Sequence, residues 1–356
     1  MNDTQLILAE TTDRLFGEIT QSRPPAEESD AEFRERWQRF EEIGLPTLLV
    51  PEDHGGFGGG GVEAWLVCHR AGLYAIDLPV VEAVMAASIL SSAGLDSPAG
   101  VVTLAAHVTG SLAQQAGRWR FTGSVQSVPW GRRSDQVIAV IDHDGKAMAL
   151  SLGVAQAERC TFSANTAGEP RDALYFTDCE VAAAPADAAI PALFDLGALL
   201  RSAQIAGACR GALELTKTHV NDRSQFGRPL AKFQAIQHKL ATLAEHAGLA
   251  EMTSRAAFEA VWAGAGLLEI ASAKIVANIA AEQAIAISHQ SHGAIGFTWE
   301  HSLHHFTRRL IGWGSEFGNL RHWTGRLGSS AARAGPEGFW PLIVDGTPRQ
   351  PMQKET

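Results

Sequence analysis

The sequence predicts an α+β protein with an N-terminal helical domain, a middle β-sandwich or barrel domain and a C-terminal four-helix bundle. Three observations predict it. Apolar residues recur at helical spacing through the first hundred residues. Over 101–187 they instead alternate, or bunch into short runs divided by turn residues. After Ala192 helical periodicity returns in much longer stretches.

The elements can be justified in order. Ser29-x-x-Glu32 has the pattern of a capping box, and Phe33, Trp37, Phe40 and Ile43 then form one apolar helix face that Gly44 ends. The segment LPTLLVPEDHGGFGGGG is a loop. Its glycines from Gly55 to Gly61, broken only by Phe57, suit either a flexible turn or a close backbone approach to a ligand. No GxGxxG leading into a helix follows, and no GK[ST], so neither a dinucleotide fold nor a P-loop is supported.

In the middle block, Trp119, Phe121 and Gly123 lie in the alternating run RWRFTGSV. Val137–Ile141 and Ala147–Leu152 flank Asp144-Gly145, a hairpin signal because both central positions of that turn need positive φ. Leu174–Val181 reads as another strand. Helices are expected near 195–222, 231–263, 266–292 and 300–327, the longer ones about 40 Å in length. Ala203, Ala206, Gly207, Ala208 and Gly211 would let neighbouring helices approach closely. Residues after about 335 are rich in Pro, Gly and charge. The expected partition is 1–100 helical, 101–187 β, 188–334 bundle and 335–356 tail, with no internal repeat.

The 356 residues are 46% hydrophobic and 19% charged, as in a globular protein, and carry a net charge of −10. That balance argues against a nucleic-acid or anionic-membrane surface, which needs clustered Lys and Arg. The N-terminus lacks the basic start and apolar run of a signal peptide, and no run reaches about 18 apolar residues. A cytoplasmic protein is expected. Cys68, Cys160, Cys179 and Cys209 are scattered, with no metal-ligand spacing, and read as buried free thiols; no metal site is expected.

One motif is far more specific. Arg223-x-x-Phe226-Gly227-Arg228-Pro229, continued by Phe233-Gln234-Ala235-x-Gln237-His238, resembles the acyl-CoA dehydrogenase pattern R-x-x-F-G-x-x-x-x-x-F-Q-x-x-x-H. The resemblance runs from about Phe33 to Gly328, and the order helical, β, bundle is that family's layout. It implies FAD as cofactor. An Arg fork matches phosphate oxygens in two-point geometry, and Phe226 offers a face to an aromatic ring. Gln290-Ser-His-Gly293-Ala294-Ile-Gly296-Phe297 is similar to the family's Q-x-x-G-G-x-G-F/Y, which approaches the adenosine half of FAD across a subunit interface; here Ala294 replaces the second glycine. His292 is either a ligand contact or a satisfied, partly buried side chain. Leu49-Val-Pro51-Glu52-x-x-Gly55-Gly56-x-Gly58 matches V-P-E-x-x-G-G-x-G. Val128-Pro129 stands where the family's W-I-T/S strand faces the flavin. The T-E-P-x-A-G-S-D stretch that lines flavin and acyl-CoA is replaced by LAAHVTGSLA. The resemblance thus implies cofactor contacts from Arg223, Gln225, Phe226, Phe233, Gln237, Gln290, Gly293, Ala294, Val128 and Pro129.

The same resemblance exposes a gap. The family's catalytic Glu falls at Gly312 when aligned on Ser315-Glu316, or at Gly197 when counted 26 residues back from Arg223. Three readings follow: a partner chain supplies the base; Glu300, Glu316 or Asp195 substitutes; or the chain does flavin or acyl-CoA chemistry without proton abstraction. GAIGFTWEHSLHHFTRR, with Phe317-Gly318, looks like the small acyl-CoA dehydrogenases of steroid side-chain breakdown. Those are α2β2 heterotetramers in which one subunit type lacks the base. The resemblance implies a bulky acyl-CoA substrate, a sister subunit or a homotetramer, and an electron-transfer flavoprotein or similar acceptor. A catalytically silent stabilising subunit is the competing class.

Overall fold

The computed structural model describes residues 2–21, 28–186 and 190–345. Four helices come first: α1 (Asp3–Gln21), α2 (Asp30–Glu42), α3 (Gly61–Leu73) and α4 (Val80–Ser92). Seven strands follow: β1 (Val102–Ala105), β2 (His107–Gln115), β3 (Arg118–Pro129), β4 (Gln136–His143), β5 (Lys146–Gly153), β6 (Arg159–Thr161) and β7 (Arg171–Pro185). The remainder is α5 (Ile190–Asp222), a two-strand finger of β8 (Ser224–Gln225) and β9 (Arg228–Pro229), then α6 (Gln234–Trp262), α7 (Leu267–His292), α8 (Leu303–Ser315) and α9 (Leu320–Asp345).

These elements group into two compact units, each drawn from separate stretches. One gathers 1–20, 60–76 and 198 onward; the other gathers 21–59 and 77–197. A linear partition at 100 and 187 does not coincide with them, because α1 and α3 are grouped with the bundle helices.

In the unit containing the sheet, Ser29 caps α2 and Glu32 returns the bond, completing the capping box. Phe33, Trp37 and Phe40 are buried, whereas Ile43 at the C-cap is partly exposed. The glycine loop folds back on its own chain. Phe57, Gly58 and Gly59 donate to the carbonyls of Thr47, Val50 and Leu48, and a Cβ on Gly56 would stand 2.1 Å from the Val50 oxygen. Its glycines serve that internal approach.

The sheet runs β1-β4-β5-β7-β3-β2, with β6 also paired to β7. Only β1 and β4 are parallel. The long β7 pairs with β3 over most of its length and with β5 through Ala182–Pro185, so the sheet curls around Phe121, Val125, Val128, Leu150, Leu174 and Phe176. Asp144 and Gly145 (φ 53° and 79°) make the expected hairpin between β4 and β5. A single residue, Ala106, separates β1 from β2.

In the helical unit, α5, α6, α7 and α8 share a core of small and aliphatic residues around Trp313. The small-residue stripe acts as the sequence suggested: a Cβ on Gly207 would lie 1.9 Å from the His69 carbonyl, and one on Gly72 would lie 1.8 Å from that of Gln204. Backbones of α3 and α5 therefore meet directly. Beside this contact, Glu251 of α6 accepts from His69 and Arg210. Burial alone would raise its carboxyl, but those two partners hold it down at about 2.

Three expectations need correction. The fourth helix near 300–327 is two helices, because Phe317 and Gly318 take positive φ and turn the chain. The tail after 335 is helical as far as Asp345: Gly335 (φ 68°) breaks α9 and Pro336 restarts it, the position where proline's missing N–H does no harm. Residues 346–356 of that tail lie outside the described residues. Among the thiols only Cys68 and Cys209 are buried; Cys160 is exposed and Cys179 intermediate. Leu267–Phe297 is long and apolar enough to cross a membrane, but 56% of that window is buried inside the protein.

Candidate cofactor-binding site

Helix α5 runs to Asp222 because nothing breaks its periodicity before the RxxFG segment. The chain then reverses through the two-residue finger. Phe226 (φ 52°) and Gly227 (φ 80°) form its tip, both in left-handed backbone. Such a turn prefers Asn or Gly at its first central position, so Phe226 is held there at some strain. The Leu230 N–H closes the finger onto the Arg223 carbonyl at 2.9 Å.

At the base of the finger lies a cavity of about 860 Å³. Arg223, Gln225, Gln290, Gly293 and Ala294 all line it. Five of the ten residues expected to contact cofactor are thus brought together from the end of α5, the finger and the end of α7. Arg223 and Gln290 are exposed, and Gly293 (φ 67°) has open space where a side chain would stand. A guanidinium, a carboxamide and bare backbone around an open cavity fit a phosphate-bearing nucleotide, the diphosphate half of FAD included.

The other five fall elsewhere. Phe226 is 89% exposed, with its ring edge-on to Phe233 at 6.2 Å. Arg228 covers the Phe233 ring at 4.1 Å. Gln237 donates to the Ala231 carbonyl at 3.0 Å, bracing the turn that starts α6. Val128 and Pro129 need a correction. Both are buried, Val128 completely, in the core of the curled sheet, and the Pro129 carbonyl accepts from Thr103. Ser127 and Trp130 on either side take positive φ, and the β3–β7 register shifts between Val125 and Val128.

Sequence reasoning singled out His292 but missed the two histidines that meet it in this cavity. His219, His292 and His301 present ring nitrogens within 4.8 Å of one another. They stand 73 and 9 residues apart, a spacing with no local signature. The His219 ring stacks on His292 at 4.3 Å, and His301 meets His292 edge-on at 4.6 Å. His292 is 6% exposed; its Nδ1 donates to the Ser288 carbonyl at 2.7 Å, while Nε2 is buried without a hydrogen-bond partner among the described residues. Of the two expectations for His292, the structure shows the buried side chain satisfied at Nδ1 alone. Burial, reinforced by the neighbouring rings, pushes His292 down to about 4, and burial also lowers His219 and His301.

Glu300, Glu316 and Asp195 do not line this cavity, whose lining does include Asp222. Gly312 is buried within α8 and Gly197 within α5. Glu316 is engaged by Arg201 at 2.7 Å, Glu300 is exposed, and Asp195 is half-buried on the first turns of α5.

Comparison with known proteins agrees with this geometry. Residues 188–311 match the family model for the acyl-CoA dehydrogenase C-terminal domain. The acyl-CoA dehydrogenase IpdE2 of Mycobacterium tuberculosis is 28% identical over 287 residues, covering 76% of this chain and 78% of that protein. The ChsE4-ChsE5 complex from Mycobacterium tuberculosis superposes with a TM-score of 0.79 at 20% identity, over 93% of this chain and 98% of that one. A variant of the steroid acyl-CoA dehydrogenase Tcur3481-Tcur3483 gives the same TM-score, identity and coverage. The fold is that of these enzymes.

Proposed function

The chain belongs to the acyl-CoA dehydrogenase family, and from that premise we propose that it is the base-lacking subunit of a heteromeric, FAD-dependent oxidoreductase acting on acyl-CoA thioesters. The observation that carries the reading is a mismatch within one bundle. The Arg223 cavity gathers five of the ten expected cofactor contacts, while glycine occupies both places where the family keeps its proton-abstracting Glu. Phosphate recognition is kept, and proton abstraction is not.

FAD, when bound, supplies the acceptor for a hydride leaving the thioester's β-carbon. This chain's residues bind and orient. Arg223 would hold a phosphate oxygen pair, Gln225 and Gln290 would donate to ribose or phosphate oxygens, and the backbone at Gly293 and Ala294 would lie along the nucleotide. The α-proton would go to a carboxylate on the sister chain, because a carboxylate in a dry site has its pKa raised towards the task. The one-residue link at Ala106 supports the division of labour: the stretch lining flavin and acyl-CoA in relatives has no room there. The steroid acyl-CoA dehydrogenase among the structural neighbours supports a bulky thioester, such as a steroid side-chain CoA ester, and the ChsE4-ChsE5 neighbour, a complex, supports a sister chain.

The test is flavin stoichiometry and turnover of the chain expressed alone and with a sister acyl-CoA dehydrogenase chain. Flavin retained at full occupancy, and acyl-CoA oxidised, only after co-expression is the expected result. A yellow, active homotetramer of this chain alone would overturn the proposal.

A further inference from the structure

The three-imidazole cluster has a chemistry that nucleotide recognition does not call on. His219 comes from the last turn of α5, His292 from the last turn of α7, and His301 from the segment leading into α8. We propose that His219, His292 and His301 form a binding site for a first-row transition-metal dication such as Zn²⁺ or Co²⁺.

The tautomer of His292 is the first argument. Its Nδ1–H is committed to the Ser288 carbonyl, so Nε2 carries the lone pair. That atom is buried and without a hydrogen-bond partner among the described residues, an arrangement that costs free energy until something accepts the lone pair. A backbone carbonyl fixing the far nitrogen is the usual outer support of a metal-ligating imidazole.

The donor set is the second. Three imidazoles suit zinc, cobalt, nickel or copper, and the cavity leaves a further position open to water or another ligand. Metal–nitrogen bonds of about 2.0–2.1 Å in tetrahedral geometry need the nitrogens roughly 3.4 Å apart, so the cluster must close by about 1 Å or more. His219 is half-buried and lines the open cavity, which gives it room to turn off its stack. His301 now accepts the Leu303 N–H at 3.2 Å through Nδ1 and would exchange that bond for the metal.

Electrostatics is the third. Two helices, α5 and α7, end at the cluster, and their C-terminal carbonyls carry partial negative charge that favours a cation. Asp222 adds to this and Arg223 opposes it.

The experiment uses the full chain, stripped with a chelator and titrated with CoCl₂ and ZnCl₂ alone. Expected are one equivalent bound by calorimetry and a ligand-field absorption band of nitrogen-bound Co²⁺ that Zn²⁺ displaces. His292→Ala and His219→Gln should each lower affinity by at least the ~10–100-fold that even an outer-sphere change costs. Arg223→Gln should tighten metal binding, since it removes the opposing charge. His219→Gln is the more exposed of the two ligand variants and keeps the test open should His292→Ala fail to fold. The proposal is overturned by no stoichiometric uptake, or by uptake unchanged in a folded His219→Gln chain, which would mark other surface histidines as the ligands. It is also overturned if inorganic pyrophosphate binds in place of metal and Arg223→Gln abolishes that binding. None of these readouts requires flavin, so the result is independent of the proposed oxidoreductase role.

Discussion

The Arg201 guanidinium and the Glu316 carboxylate meet at 2.7 Å inside the helical unit, with the side chains only 2% and 19% exposed. Lys274, fully buried, donates to the Trp313 carbonyl nearby, and burial together with Arg201 lowers it to about 7. Glu316 is thus the ion-pair partner of Arg201, and its charge also favours the protonated form of Lys274. Glu316→Gln should destabilise the chain by about 3–5 kcal/mol, because it removes the carboxylate charge that faces buried Arg201. In an assembled enzyme, turnover per folded protein should survive. A base would instead lose about 10²–10⁴-fold in rate, so thermal melting and turnover on the same sample decide the matter.

Arg223 offers the complementary case. It is exposed and its backbone is already satisfied. Arg223→Ala should lower flavin occupancy of the assembled enzyme while shifting stability by no more than about 0.5 kcal/mol, the usual range for a surface position. Absorbance of flavin per protein, beside a melting curve, checks both halves. Unchanged occupancy would remove Arg223 from the cofactor site.

Phe226 is strained and uncovered. Phe226→Asn places the favoured residue in the left-handed turn position. The isolated chain should gain about 1 kcal/mol of stability and yet assemble less well with its sister, since the exposed ring is lost. Denaturant midpoints and size-exclusion profiles of the variant and the parent test the pair of effects.

Glu251 sets an acid limit. Its carboxyl is held at about 2 by Arg210 and His69 against the pull of burial, below its ordinary 4.5. A folded-state value lowered in this way gives stability that is complete above about pH 4.5 and drains away as pH falls towards 2. The contribution is on the order of 3 kcal/mol. Glu251→Gln should be weaker than the parent at neutral pH, with the difference closing on acidification, as followed by urea unfolding at a series of pH values.

Glycines separate by surroundings. Gly207→Ala drives a methyl into the His69 carbonyl at 1.9 Å and should cost more than about 3 kcal/mol or prevent folding. Gly248, inside α6 with nothing within 4 Å, should gain about 0.5–1 kcal/mol on the same substitution. Parallel melts of the two variants make the comparison.

Much of this was legible in the sequence where the cause is local. Ser29 and Glu32 cap a helix three residues apart, Asp144-Gly145 demands its own turn, and Arg223 to Pro229 cannot continue α5. Phe317 was not legible as a break, since only the four residues Glu316–Asn319 part α8 from α9 and the turn rests on a phenylalanine in left-handed backbone. Val128 and Pro129 were assigned by position in a motif, whereas their burial depends on how β3 packs in the sheet. The three histidines depend on where two helix ends arrive, which no spacing in the chain records.

The meeting of Gly72 with Gly207 also has a consequence in time. Gly207 lies 135 residues after Gly72, so a ribosome adding roughly 5–20 residues per second delivers the second glycine about 7–27 seconds after the first. Through that interval α3 and its earlier partner α1 have been synthesised, while the α5 and α6 surfaces that α3 packs against have not. The nascent chain therefore carries a half-covered apolar helix while the whole β-sheet emerges behind it, and its yield in a cell should respond to holding chaperones.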